Sequence, residues 1–515
     1  MKVQTSSARG TIILLVAACR MLHAAELPAK SHYNYSVRDY GAAGDGKTLD
    51  SPAINKAIQA AAAAGGGTVL VPAGTYLSGS IRMRSNIHLK IDAGAIILGA
   101  PQSLNAYDET EAFPGIAYQD GGHTYFHNSL IWGENLTNVF ITGNGRIHGG
   151  GLTKDSGPLD EMCGYSHFKT PNTKTYPPIR LGNKALALKL CRNVLIRDVT
   201  ITHGGHFAIL VTGCDNLTVD NVTMDTNRDG IDIDCCRNTV VSNCRINAPG
   251  DDGLCIKSTY ALGEMRLTEN LTITNCQISG FKEGTLLDGR LKPDPWGQGR
   301  LKFGTESTGG YRNCTISNCT FRNCWGLALE QVDGGIMENI TIENLTMMDI
   351  ARYPIYITTG KRNRSPDGES VSRMKNILIS NVIATGVTRN SGIQITGLPE
   401  QSLEGLRLQN IRIVYEGGGA KEQAGVIPKE LGTGYPEPTQ VMPAYGLFAR
   451  HVKGLELANI TFSMQKDDFR PAIQCVNVNG LEIDNFKAQL AEGVDASKFE
   501  KVSGLVIRNS PVLNR

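Results

Sequence analysis

Two short acidic motifs carry the chemistry that this sequence can do. Asn227-Arg228-Asp229-Gly230 is followed by Gly250-Asp251-Asp252-Gly253, so that Asp229 and Asp251 lie 22 residues apart. A carboxyl that keeps its proton can protonate a leaving oxygen, while an ionised one activates water. Crowding like charges raises the pKa of each neighbour and costs energy, so a purely structural chain gains nothing from it. Taken singly, each Asp-Gly pair also suits a tight turn, and an acidic group also suits calcium. The weight of the two motifs depends on whether 22 residues is one structural repeat.

The rest of the chain indicates that it is. A ten-residue phrase returns eleven times, beginning RNVLIRDVTI (192–201), DNLTVDNVTM (215–224) and RNTVVSNCRI (237–246) and ending SGLVIRNSPV (503–512). Apolar and β-branched residues alternate with polar ones at period 2, the pattern of a strand with one buried face. The closest copies are 22 to 26 residues apart, too short for a crossover helix in every repeat. The chain must coil into a solenoid. The Leu spacing of a leucine-rich repeat is missing, so the predicted fold is all-β, a right-handed single-stranded parallel β-helix. Residues one rung apart then stack at ~4.8 Å, which puts Asp229, Asp251 and Asp252 in one patch of the outer wall.

The seventh position of the phrase is Asn in ten copies, from Asn221 to Asn509, with Asp198 the exception. Asn tolerates left-handed backbone at a bend, and its amide can bond the Asn one rung away. Asn221, Asn243, Asn275, Asn318 and Asn344 should form one column. The repeat itself generates the N-x-S/T triplets, so they imply no glycosylation. At the other end, Ser51-Pro52 starts a helix whose Ile54, Ala57, Ile58 and Ala61 share a face, and Gly65-Gly66-Gly67 ends it. It should cap the first coil, whose strand edge would otherwise be bare. Residues 99–130, 151–186 and 414–447 are too long for turns. They carry Tyr107, Tyr118, Tyr165, Tyr176, Tyr435 and Tyr445, residue types expected around a sugar.

Composition narrows the partners. Of 515 residues, 51 are Lys or Arg and 49 Asp or Glu, and no basic run with interleaved aromatics occurs, which gives nucleic acid no footprint. Lys2 and Arg9 precede an apolar run (11–18) too short to span a bilayer. Residues 1–25 thus read as an export signal, with residues 26–515 as a single β-helix domain and 36–98 as its cap and first rungs. Val16-Ala17-Ala18-Cys19 resembles a lipoprotein box, with cleavage near Ala24 or Ala25 as the alternative. A lipidated Cys19 is the one membrane attachment expected of an exported, monomeric protein. Of the twelve other cysteines, Cys244, Cys276 and Cys319 share a repeat position that holds Val199, Leu345 and Ile411 in other copies. They should be buried thiols.

Residues 36–81 resemble the opening of the pectate-lyase-superfamily β-helices, and 138–151 resemble a glycine-rich rung of the same enzymes. The two acidic motifs resemble those of the polygalacturonases of glycoside hydrolase family 28, an N-x-D followed one rung later by G-D-D. The resemblance implies an inverting hydrolase of a plant-type polysaccharide, without cofactor or metal. It makes Asp251 the general acid, with Asp229 and Asp252 holding and activating water, and Asn227 part of the site. Lys257 matches a lysine often found after the motif in exo-acting members. Two motifs depart from the pattern. Where the family has Gly-His-Gly before G-S-E, this chain has Gly299 at the histidine position and Gly304-Thr305-Glu306 at the end. Where the family has an Arg-x-Lys clamp for galacturonate, it has Ala328-Leu329-Glu330.

Glu330 would repel a uronate there, so simple polygalacturonan should be a poor substrate beside pectic chains carrying neutral sugars. Replacement cations are Arg290, Arg300, Lys302 and Lys361-Arg362-Asn363-Arg364, with His206 and His203 one rung before Asp229. A β-helix lyase and a non-catalytic glycan-binding β-helix are the alternatives. The lyase needs calcium and a basic residue. No such residue is expected among the three acids.

Overall fold

Among the described residues, every strand pairs in parallel with a counterpart one coil away. The computed structural model describes residues 34–112, 121–156, 159, 179–364, 370–433 and 441–513. In those residues 32 strands form one continuous parallel ladder, and successive coils wind right-handed. The expected export signal with Cys19, and Tyr118, Tyr165, Tyr176 and Tyr435, lie outside the described residues.

The repeat positions become columns. Ile196, Val219, Val241, Ile273, Ile316 and Ile342 are register partners on successive coils, and each is fully buried. Parallel stacking of identical β-branched side chains fills the interior without a crossover element. The eleven described cysteines are free and buried. Cys244, Cys276 and Cys319 sit in this core as expected.

The predicted helix spans Ser51–Ala63 and buries Ile54, Ala57, Ile58 and Ala61 against the first coils. Asp50 ties the preceding loop to it by accepting the Ala43 and Gly44 amides at 2.7 and 3.0 Å.

The asparagine column is present, with positive φ at Asn221, Asn243, Asn275, Asn318 and Asn344. Its amides do not run unbroken: Asn243 donates to Asp220 and Asn318 to Thr274, while Asn344, Asn381 and Asn410 each bond the Asn one rung before. A second column, not foreseen, occupies the second position of the phrase. Asn138, Asn193, Asn216, Asn238, Asn270, Asn313, Asn339 and Asn376 each donate to the preceding member at 2.7 to 3.3 Å. Beyond Asn376 the column changes to Gly405, Gly454, Gly480 and Gly504, all at positive φ. The backbone requirement persists after the amide ladder stops.

Asn339, at φ 57°, bonds partners on both sides. Asn339→Ala should cost about 1–2 kcal/mol through left-handed strain and a lost bond, and Asn339→Gly less. Urea midpoints that rank the two variants the other way would remove the backbone explanation.

Candidate active site

The sheet that carries the acidic motifs contains strands Phe207–Thr212, Asp229–Asp234, Leu254–Ser258 and Leu301–Ser307. On its outer face Leu210, Asp232, Cys255, Lys302, Ala328 and Tyr356 are register partners on successive coils. Asp229 opens its strand, and Asp251 and Asp252 end the loop before the next. Glycine lets these turns approach: a Cβ on Gly230 would lie 2.2 Å from the Gly253 carbonyl oxygen, and one on Gly250 2.3 Å from that of Asn227. The three carboxylates meet as the repeat spacing predicts, each offering an oxygen within 4.8 Å of the others.

Their surroundings differ. Asp251 is the most open, its side chain 28% exposed against 4% for Asp229 and 2% for Asp252. Asp252 is gripped on both oxygens, Oδ1 by Arg300 Nε at 2.5 Å and Gln298 Nε2 at 3.1 Å, Oδ2 by Lys302 Nζ at 2.8 Å. Burial works against its charge, but Arg300 and Lys302 outweigh burial and hold the carboxyl well below the usual carboxylate range. Asp229 is the opposite case. Burial, then the charges of Asp251 and Asp232, push it well above that range, against the pull of Arg228 and Lys257. Gln298 also donates to Asp251 Oδ1 at 2.7 Å and so bridges the adjacent acids.

The expectation that no basic residue lies among the acids is wrong. Arg228 Nε stands 3.6 Å from Asp229 and 3.5 Å from Asp251, and Arg300 and Lys302 flank Asp252. Arg228 is the middle residue of the N-x-D motif, and a strand-end residue next to Asp229 cannot avoid the cluster. Arg300 and Lys302 come from a coil 48 and 50 residues downstream of Asp252, too distant in sequence to be placed by counting. These cations compensate the acids, and a guanidinium held between two carboxylates keeps its proton. It is a poor base for elimination.

The remaining expected residues divide. His206 contacts Arg228 Nη1 at 2.6 Å through Nε2 and packs on Phe207, at the edge of the cluster. Glu330 lies beyond Arg300, at 3.4 Å. Lys257 and Glu306 pair with each other at 2.9 Å beneath the acids, and Lys257 also reaches Asp232 at 3.3 Å. Burial opposes both charges; their mutual attraction overrides it, with help from Asp232 for Lys257 and Arg362 for Glu306. Both are thus a charged floor rather than a sugar-facing surface.

Asn227 is also structural, its Oδ1 accepting the Gly205 amide at 3.2 Å. Arg290 pairs with Asp288 on the exposed surface, and His203 faces Glu283 in a separate recess. Of the 361–364 cluster, Arg362 and Arg364 turn inward to Glu306, at 3.3 and 3.7 Å. Tyr107 and Tyr445 are buried and bond the Ala100 and Gln489 carbonyls, which removes them from any sugar. Sequence reasoning missed Gln298, Asp333 and His123. Gln298 had a signal, because it adjoins the Gly299 that replaces the family histidine. Asp333 binds Arg362, and His123 approaches Asp232 at 3.6 Å.

The opposed shifts carry opposite linkage. Asp229 binds its proton more tightly folded than unfolded, so its contribution to stability is present at low pH and lost as pH rises past about 4. Asp229→Asn should therefore melt higher than wild type at pH 8 and gain nothing at pH 4, by calorimetry. Glu306 has a depressed pKa, so its stabilisation is present above the usual carboxylate range and lost in acid. Glu306→Ala, which leaves Lys257 to Asp232 and Arg362 to Asp333, should cost about 3–5 kcal/mol at neutral pH. A loss below about 1 kcal/mol would mean that water compensates the lysine.

Comparison with known proteins bears on the fold and on its likenesses. Residues 35–254 match the family described as rhamnogalacturonase A/epimerase, pectate lyase-like. A probable polygalacturonase of Vitis vinifera is 24% identical over 416 residues, 76% of this chain and 77% of its own length. An exo-poly-alpha-D-galacturonosidase of Dickeya chrysanthemi is 24% identical over 412 residues, 70% of this chain but 64% of its own. The solved hyperthermoactive exopolygalacturonase of Thermotoga maritima superposes with a TM-score of 0.61 at 21% identity, covering 85% of this chain and 93% of that one. The chain is a right-handed parallel β-helix, similar along most of its length to the polygalacturonases it matches.

Proposed function

We propose that this protein is an exported, monomeric glycoside hydrolase that cleaves pectic chains with inversion. The observation that carries the reading is the unequal trio: Asp229 buried among other acids, Asp252 gripped by Arg300 and Lys302, and Asp251 exposed enough to reach a substrate. Burial and the adjoining acids favour a proton on Asp229, which in this reading is where the shared proton rests. As the glycosidic oxygen binds, that proton passes to Asp251, the member open to the cleft, which delivers it to the leaving oxygen as the bond breaks. Asp229, now ionised and strongly basic because it is buried, takes a proton from the water that attacks the anomeric carbon. Asp252 keeps its charge and orients that water. The cluster returns to its starting protonation, and one water is consumed per bond cleaved.

Carboxylates this close fall below the roughly 6.5–9.5 Å of most inverting pairs. Asp252 has both oxygens tied by cations or amide, which makes it a poor nucleophile toward carbon. Their closeness is therefore read as the means of holding one water.

The outer face of the sheet supports attack at a chain end. Leu210, Asp232, Cys255, Lys302, Ala328 and Tyr356 are all buried. Phe126 packs over one end of the face, and Met442 over the other. Both belong to stretches that the sequence marks as too long for turns. An open groove for internal cleavage would expose this floor over several coils.

Asp251→Asn should lower kcat on pectic oligosaccharides by about 10²–10⁴-fold, with much of the loss restored on an aryl glycoside whose leaving group needs no proton. Equal losses on both substrates would assign the acid elsewhere. Proton NMR of the first product should show the inverted anomer; a retained anomer would reveal a covalent intermediate, and a chelator-sensitive unsaturated uronate would identify a lyase instead.

A further inference from the structure

The inserted loop between strands Gln277–Ser279 and Leu301–Ser307 returns to the acids at Gln298. Its backbone is pinned there. The Gln298 amide donates to the Pro249 carbonyl at 3.1 Å, its carbonyl accepts the Trp325 amide at 2.8 Å, and Gly299 donates to the Asp251 carbonyl at 2.9 Å. Gly299 stands where the polygalacturonase pattern has histidine, but no side chain fits. It has φ 42°, and a Cβ would lie 2.2 Å from the Ser279 carbonyl oxygen. The polar group presented to the acids is thus the carboxamide one residue earlier, on a residue only 7% exposed.

Between two carboxyl groups only the NH2 end of a carboxamide serves, and it has two hydrogens for two acceptors. Nε2 directs them to Asp251 Oδ1 at 2.7 Å and Asp252 Oδ1 at 3.1 Å. Asp251 Oδ1 also accepts the Asp252 amide at 3.0 Å, so both of its lone pairs are engaged. Oδ2 lies on the Arg228 side instead, 3.5 Å from Nε, which itself stands 3.6 Å from Asp229 Oδ2. Both separations are longer than a hydrogen bond.

The geometry points to Gln298 as a positioning residue for proton delivery: its amide occupies Oδ1 of Asp251, so that the acidic proton is carried and released at Oδ2. This rests on the hydrolase reading above. The O–H bond at Oδ2 breaks as the glycosidic C–O bond does, and the proton and that bond's electron pair both go to the leaving oxygen. Negative charge then grows on Asp251, and the hydrogen bond from Gln298 strengthens as it becomes charge-assisted. A contact stronger in the transition state than in the ground state raises kcat and leaves KM alone. A carboxamide does this without titrating near neutral pH, as an imidazole would.

Gln298→Met keeps the length of the side chain and removes both donors. Hydrolysis of trigalacturonate and of a rhamnose-containing pectic trisaccharide is compared with that of the 4-nitrophenyl glycosides of galacturonic acid and rhamnose, whose leaving group needs little protonation. On whichever trisaccharide wild type cleaves faster, the variant should lose about 10- to 100-fold in kcat with KM within about twofold, the scale of a hydrogen bond to a charged group. On the matching nitrophenyl glycoside the loss should stay below about threefold, because no proton need be delivered. Circular dichroism and a melting curve establish that the variant is folded. If it is not, Gln298→Asn, which withdraws the amide by one methylene, takes its place with the same expected contrast. Equal losses on both kinds of substrate, or no loss on either, overturn the inference while wild-type turnover leaves the hydrolase reading intact. A KM that rises at unchanged kcat overturns it too, with or without turnover of the nitrophenyl sugars. A wild type that cleaves none of the four sinks the hydrolase reading itself, and the inference with it.

Discussion

The spacing of about 4.8 Å between coils is the constraint on which the rest of this molecule depends. Whatever stands at one position of a rung stands one strand spacing from its counterpart on the next. Inside, the rule favours repetition, and the isoleucine, valine and cysteine columns are its result. At the bends it favours asparagine, whose amide is both donor and acceptor and whose backbone accepts positive φ. On the outer face it is costly, because charges of one sign stack as readily as isoleucines do.

The outer face meets that cost by changing sign along the axis. Asp229, Asp251 and Asp252 form an acidic layer, Arg300 and Lys302 the basic layer that follows, and Glu330 the acidic layer beyond. A similar exchange runs underneath through Asp232, Lys257, Glu306, Arg362 and Asp333. Buried pairs of this kind contribute little net stability compared with apolar packing. What they do is set protonation. Asp252 faces two cations that favour its charged form, whereas burial and two neighbouring acids push Asp229 toward its protonated form against the pull of Arg228 and Lys257. Chemically identical groups are thereby prepared for different roles by neighbours one and two coils away.

The same layering bears on the proposed substrate. In the pattern implied by the polygalacturonase resemblance, a cationic clamp stands where Ala328 and Glu330 stand here. This chain does hold an Arg-x-Lys, Arg300-Leu301-Lys302, but one coil earlier and turned to Asp252. The cations are retained while their partner has become internal. Similarity over most of the chain and a difference at these positions are compatible, since the coil supplies the scaffold and outward residues can vary on it.

How much of this was legible in the sequence follows from the range of each interaction. Period-2 alternation, the 22-residue step and the bend asparagines are local and repeated, so the β-helix, its capping helix and the meeting of Asp229, Asp251 and Asp252 could all be read from residue order. The second asparagine column is equally local, since Asn recurs at the second position of the phrase until Gly replaces it from Gly405 onward. The buried cysteines followed from their apolar counterparts in sister repeats. Other features were decided only by the tertiary structure. The coil between Asp252 and Arg300 carries an inserted loop, so counting repeats does not bring those cations to the acids, and Arg362 reaches Glu306 from still farther along the chain. Protonation depends on burial and on charges summed over three coils, and no single motif contains that sum. Sequence determined which residues share a column; folding decided which charges share a dry volume, because desolvation and Coulomb energy depend on distance through space rather than along the chain.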